Sequence, residues 1–157
     1  MLTASLTGTV AREYNGNNLA TLSTGNYLLS GLVDGDRVSL NAPTGAFYSD
    51  KNAGFAKVVT VNGLTLTGAD AANYTVNSSA ASQVGVITQK MLTASLVGTI
   101  SKIYDGTAQA NIGVGNISLS GRISGDQVSA GSTMFGSYAD RNAVSYTHLT
   151  LPTICSV

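Results

Sequence analysis

Apolar and polar residues alternate with a period of two along most of the first ninety positions. The segments "LTASLTGTV", "LATL", "NYLLSG", "RVSL", "AFYS", "AKVVTV", "LTLTG", "YTVN" and "VGVITQ" each read as a strand with one face turned inward. Turn-forming clusters separate them: "YNGNN", "LVDGDR", "SDKNAG", "VNGL" and "GADAAN". No window sustains a helical period, and "GADAANY" predicts a single helical turn at most. Short strands with frequent turns predict an all-β, mainly antiparallel domain. Asn62-Gly63 is the strongest hairpin signal, because a two-residue type I′ turn needs positive φ at both central positions. The same argument covers Asn15-Gly16 and Asp105-Gly106, each preceded by a tyrosine, Tyr14 or Tyr104, whose ring is expected on the edge of the core.

The pattern then starts again. Shifting the chain by 90 residues lays "MLTASLTGTVAREYNG" on "MLTASLVGTISKIYDG" and "TGNYLLSGLVDGDRVS" on "VGNISLSGRISGDQVS". From Met1/Met91 to Ala53/Ala143, 24 of 53 pairs are identical without a gap, so the chain is read as tandem modules. Residues 1–90 form a complete repeat and residues 91–143 a second, truncated one. Over the next fourteen pairs only Thr60/Thr150 matches. The stretch Val144–Thr153, "VSYTHLTLPT", resembles one reading frame of a sequencing-library adaptor. Residues 144–157 are therefore expected to be a non-native tail, which removes His148, Pro152 and Cys155 from any functional argument. A repeat without its last strands leaves open sheet edges, so the first copy is expected to fold well and the second poorly. Only Lys90-Met91 lies between the last strand of one copy and the first of the next, with no flexible linker. Stiff, end-to-end joining is expected.

Composition narrows the chemistry. Eight basic residues balance eight acidic ones, and charged residues are 10% of the chain against about 25% in ordinary soluble domains. That gives no basic surface for nucleic acid and no polybasic membrane patch. No apolar stretch is long enough for a membrane-spanning helix. Without the tail there is no His or Cys, so triads and His/Cys zinc sites are unavailable. The acids fall in or beside turns, where Asp commonly accepts its own loop's N–H groups. Calcium in "VDGD" or "SDKN" lacks the ligand spacing that wraps one ion, and "VDGD" becomes "ISGD" in the second copy. Tyr27, Tyr48 and Tyr74 are the candidates for a sugar-stacking surface, against half-burial in a sheet. No catalytic residue, metal ligand or cofactor is assigned. The recurring positions are read as structural turn motifs: Tyr14, Asn15, Gly16 with Tyr104, Asp105, Gly106; Gly35, Asp36 with Gly125, Asp126; and Asp50, Asn52 with Asp140, Asn142.

In order along the chain, "ISKIYDGT", "LSGRISGDQVS" and "SYADRNA", with "VAREYNGN", "LSGLVDGDRVS", "FYSDKNAG" and the closing "GVITQK", resemble the YDG repeat. The likeness covers residues 1 to 143, with Asn15 standing where the motif has Asp. It implies a small all-β unit, for which strand spacing favours an immunoglobulin-like sandwich over a β-grasp-like sheet. It also implies a bacterial, extracellular setting: tandem stalk modules of large haemagglutinin-like adhesins exported by two-partner secretion. The implied partners are neighbouring repeats of the same chain, with a host-surface glycan or protein as the alternative.

Overall fold

The computed structural model describes residues 1–131 and 134–142. The chain divides into two compact units, Met1–Lys90 and Met91–Val157. The first contains β1 (Thr3–Leu6), β2 (Val10–Glu13), β3 (Leu19–Thr21), β4 (Tyr27–Ser30), β5 (Ser39–Asn41), β6 (Gly45–Tyr48), β7 (Gly54–Asn62), β8 (Thr65–Thr67) and β9 (Ser79–Thr88). Among the described residues there is no α-helix, only 3-10 turns, one of them at Ala71–Asn73 within "GADAANY". The all-β class read from the alternation is the class observed.

A five-stranded sheet, in the order β2-β9-β7-β6-β3, curls towards a partly closed barrel. Two ribbons, β1-β4 and β5-β8, complete the unit. Ala4 and Leu6 from β1 share one core with Val10, Ala20, Leu22, Ala46, Tyr48, Val59, Val61, Leu64, Ala80 and Ile87, and Leu29 and Leu40 pack against it. Leu2, Val59, Val61 and Ile87 are essentially sealed from water. Burying side chains of this size stabilises by about 1.5–3 kcal/mol each. The opposite face of the sheet carries the exposed Leu19 and Phe47, which pair in register with each other and, through Phe47, with Thr60.

Several local expectations change. The predicted strand Leu2–Val10 is two strands, divided at Gly8, whose φ of 71° few other residues adopt. The pairing of β2 with β9 is parallel, Val10↔Gly85 to Glu13↔Thr88, and closes the unit between residues far apart in sequence. Asn62-Gly63 does not form a hairpin. Gly63 has φ 81° but Asn62 is not in the left-handed region, and β8 pairs with β5 while β7 pairs with β6 and β9. The reason is Leu64: it turns into the core, and the N–H groups of Gly63 and Leu64 both donate to the Ser78 carbonyl. Burial of one leucine outweighs a local turn preference. "YTVN" contributes only a bridge, Leu2↔Val76.

The second unit contains β10 (Thr93–Leu96), β11 (Gln109–Ile112), β12 (Ile117–Ser120) and β13 (Met134–Ser137). Its pairings repeat those of the first with the same 90-residue shift. Thr3↔Ser30 becomes Thr93↔Ser120, and Leu19↔Phe47 becomes Gln109↔Ser137. Ile100–Ile103 and Ser129–Gly131, which correspond to β2 and β5, are not strands. Their counterparts in the first unit pair with β9 and β8. Ala110 and Ile112 are buried, but Leu92, Ala94, Leu96 and Ile100 are only half-buried, whereas Leu2, Ala4, Leu6 and Val10 are sealed. The tail reading, Val144–Val157, falls outside the described residues.

Candidate functional site: the turn clamps

The recurring feature of both units is a clamp around the Tyr-Asn/Asp-Gly turn. In the first, Tyr14 leaves β2 with its N–H bonded to the Thr88 carbonyl at 2.9 Å, and its ring packs against the core. Asn15 accepts the Asn17 N–H at 3.3 Å, and Gly16 takes φ 86°. This is an Asx turn with one left-handed glycine rather than the expected type I′ turn, since Asn15 itself is not left-handed. The strands flanking it do not pair with each other either. Arg12 holds the loop: its guanidinium donates to Asn17 Oδ1 at 2.7 Å and to the Asn17 carbonyl.

Arg12 also lies over the Tyr48 ring, 5.2 Å from the centroid. The Tyr48 hydroxyl is buried and donates to the Val10 carbonyl at 3.0 Å. Burial pushes this phenol above its ordinary pKa, with Arg12 acting in the opposite direction. β2, the turn and β6 are thus tied by one cation and one phenol.

The second unit repeats the clamp with different atoms. Lys102 Nζ donates to Asp105 Oδ1 at 2.7 Å and to the Thr107 carbonyl and hydroxyl, and lies 5.9 Å from the Tyr138 centroid. Asp105 Oδ1 also accepts the Thr107 N–H at 2.9 Å, Gly106 takes φ 77°, and the Tyr138 hydroxyl donates to the Ile100 carbonyl at 2.9 Å. The Lys102 and Thr107 donors hold the Asp105 carboxyl at a pKa of about 2. Here again the turn is an Asx turn. Tyr104, expected on the core edge like Tyr14, is 60% exposed, because no β9 counterpart covers it among the described residues.

The other recurring positions are also engaged in local bonds. Gly35 and Gly125 have φ 97° and 92°, with Asp36 N–H bonded to Val33 and Asp126 N–H to Ile123. Asp36 accepts the Tyr74 hydroxyl, which raises the Tyr74 pKa. Asp50 accepts Lys57 Nζ at 2.7 Å and the Asn52 N–H at 2.8 Å, and these donors lower its pKa. Asp140 accepts the Asn142 N–H at 2.6 Å. Among the described residues no three Asp, Glu, His or Cys side chains gather where an ion could be held. Of the tyrosines considered for sugar stacking, Tyr48 is buried, and the hydroxyls of Tyr27 and Tyr74 bond to Pro43 and Asp36.

Arg12 and Lys102 were not among the positions singled out from the sequence, nor were Asn26 and Asn116. Each of these asparagines bonds twice to the residue before a left-handed glycine: Asn26 with Thr7 and Asn116 with Val97. The repeat alignment holds the signal for both, as a charge-preserving pair in one case and an identity in the other.

The YDG domain family profile matches residues 1–82 and 88–154, and the chain belongs to that family. No curated protein and no solved structure matches the chain. No helix among the described residues is long and apolar enough to cross a membrane.

Proposed function

We propose that the chain is a stalk or spacer segment, made of YDG repeats, of a large bacterial adhesin displayed on or secreted from the cell, with no catalysis of its own. The observation that carries this reading is how the recurring polar residues are used. Asp36, Asp50, Asp105 and Asp140 each accept hydrogen bonds from nearby backbone or side-chain donors within their own unit. For Asp50 and Asp140, recurrence between the repeats is then explained by the turn each builds. Four residues, 89–92, separate β9 from β10, and a connector this short favours a stiff array that sets reach at low entropic cost.

The test is small-angle scattering on concatemers of residues 1–90. A spacer predicts a maximum dimension that grows linearly with copy number. Growth with about the square root of copy number, as for flexible beads, overturns it. The alternative is a module that itself binds a host glycan or protein. The exposed pair Leu19 and Phe47 favours it, but Gln109 and Ser137 replace that pair in the second unit. Binding of the first repeat to a glycan array, lost on Phe47→Ala, would establish it.

A further inference from the structure

We infer that Asn15 is a site of spontaneous covalent modification, its side-chain amide being lost to water through a succinimide formed with Gly16. The chain's second Asn-Gly pair, Asn62-Gly63, is shielded from the same reaction by the fold. The two pairs share the sequence feature that permits ring closure, a following residue with no side chain to obstruct it. Both asparagines are exposed, so access to water does not separate them. They differ in how the glycine nitrogen is held.

In this reaction the Gly16 nitrogen gives up its proton and bonds to Asn15 Cγ. The carbonyl electron pair moves onto Oδ1, then returns as the Cγ–Nδ2 bond breaks and ammonia leaves carrying the proton. Water then adds to one of the two ring carbonyls. Cleavage of the bond to Cγ gives aspartate, and cleavage at the main-chain carbonyl gives isoaspartate, with an extra methylene in the backbone. The net change is amide plus water to carboxylic acid plus ammonia. The turn suits this path. Asn15 Oδ1 already accepts the Asn17 N–H at 3.3 Å, a donor placed on the oxygen that becomes negative. Asn17 is held in turn by the Arg12 guanidinium, through both its Oδ1 and its carbonyl. Gly16 lies outside every strand, and no hydrogen bond ties its N–H among the described residues.

At Asn62-Gly63 the same atoms are tied down. Asn62 ends β7 and pairs with Ser79 of β9, and the Gly63 N–H donates to the Ser78 carbonyl at 2.8 Å. Leu64, the next residue, is buried, and its N–H donates to the same carbonyl. Ring closure there requires the corner to open first, which scales the rate by the fraction of time it is open. The second unit shows that the turn accepts the product. Asp105 stands where Asn15 does, and its Oδ1 accepts the Thr107 N–H at 2.9 Å as Asn15 Oδ1 accepts that of Asn17. Lys102 precedes Asp105 by the same spacing as Arg12 precedes Asn15, and donates to that oxygen at 2.7 Å. Modification at position 15 thus replaces a neutral turn by one that pairs with Arg12, and adds a negative charge to a chain whose formal net charge is zero.

The experiment incubates the full chain in mildly alkaline buffer, either folded or unfolded in guanidinium chloride. Peptide mapping by mass spectrometry follows residues 15 and 62, counting aspartate and isoaspartate together. On folding, the ratio of the rate at Asn15 to that at Asn62 should rise on the order of tenfold or more, because only the second amide is protected. A ratio that is unchanged or lowered overturns the inference, as does an Asn15 that stays intact in the folded chain. The Asn15→Asp chain tests the product separately. Its new carboxyl, followed through the Asn17 amide resonance, should titrate below the ordinary aspartate value, since a nearby cation favours the charged form. An unshifted titration would overturn the pairing with Arg12.

Discussion

Arg12 and Lys102 stand at equivalent places and perform the same two tasks, holding the turn and covering a tyrosine ring. They do so at different cost. Arg12 Nε is buried without a hydrogen-bond partner, and an unsatisfied buried donor costs about 1–3 kcal/mol. Lysine has no such atom, and in the second unit its ammonium reaches three acceptors. Arg12→Lys should therefore leave the first unit's stability within about 0.5 kcal/mol, because the lost fork to Asn17 is offset by removing the orphan donor. Arg12→Ala should cost about 1–2 kcal/mol, since the cation–ring contact and the loop's bonds go together. Urea unfolding of residues 1–90 separates the two, and equal losses would show that the fork itself is what matters. Asp105 gives a second test at this scale. Its folded pKa, about 2, is below the ordinary carboxylate value. A depressed pKa means that the clamp's contribution is fully present above about pH 4 and disappears as pH falls through about 2. The Thr107 amide resonance should follow the Asp105 carboxyl through that window, and a midpoint near 4 would refute the clamp. These roles were half legible. The sequence marks Asp105 and Gly106 as turn residues through their chemistry, but a lone Arg or Lys before the turn carries no local signature. Its meaning appears only with Tyr48, thirty-six residues away, beneath it.

Among the elements, those read correctly owe their form to alternation, and those misread were decided by long-range pairing. β3, β4, β6 and β7 lie where the period-two pattern placed strands. The parallel β2–β9 pair was invisible, because alternation identifies a strand but not its neighbour. Asn62-Gly63 has the right chemistry for a hairpin, yet it turns Leu64 inward and passes the edge of β7 to β9. The β7–β9 contact also explains Gly85, which the sequence presents as an ordinary strand glycine. A methyl there would lie 2.8 Å from both the Lys57 carbonyl and the Tyr48 ring. The irregular register of β7 around Lys57, with Ala56 at φ 50°, lets its backbone approach this closely. Gly85→Ala should thus destabilise the first repeat by about 1–3 kcal/mol, through overpacking rather than lost hydrogen bonds. Thermal unfolding of residues 1–90 measures the cost. Gly45→Ala, where a methyl meets nothing within 4 Å, is the control and should change stability by under about 0.5 kcal/mol.

For the whole molecule, the two units differ in how many pairings their described residues hold: six in the first and two in the second. Pairings whose two strands both lie within the first half, β1–β4 and β3–β6, reappear in the second unit as β10–β12 and β11–β13. Pairings that cross to the later strands have no counterpart among its described residues, and the equivalents of β2 and β5 lose strand form. Secondary structure here follows from partners more than from propensity. Ile100–Ile103 is as apolar as Val10–Glu13, but among the described residues no counterpart of β9 pairs with it. Two-stranded ribbons are marginal alone. Ile103 is 92% exposed and Tyr104 60% exposed, so burial there adds little stability. Opening of the second unit should be more frequent, and limited proteolysis reports on that population when reclosing is fast. With chymotrypsin, the first cuts should fall after Tyr104 and Phe135, both exposed and outside a sealed core, leaving a resistant fragment close to residues 1–90. Phe55 is a stringent internal comparison. It is 83% exposed and lies in the irregular stretch of β7, yet the pairs Gly54↔Ile87 and Lys57↔Gly85 anchor the backbone to β9 on both sides of it. Cleavage after Phe55 at the rate seen after Phe135 would mean that the long-range pairings of β7 give the first unit no advantage.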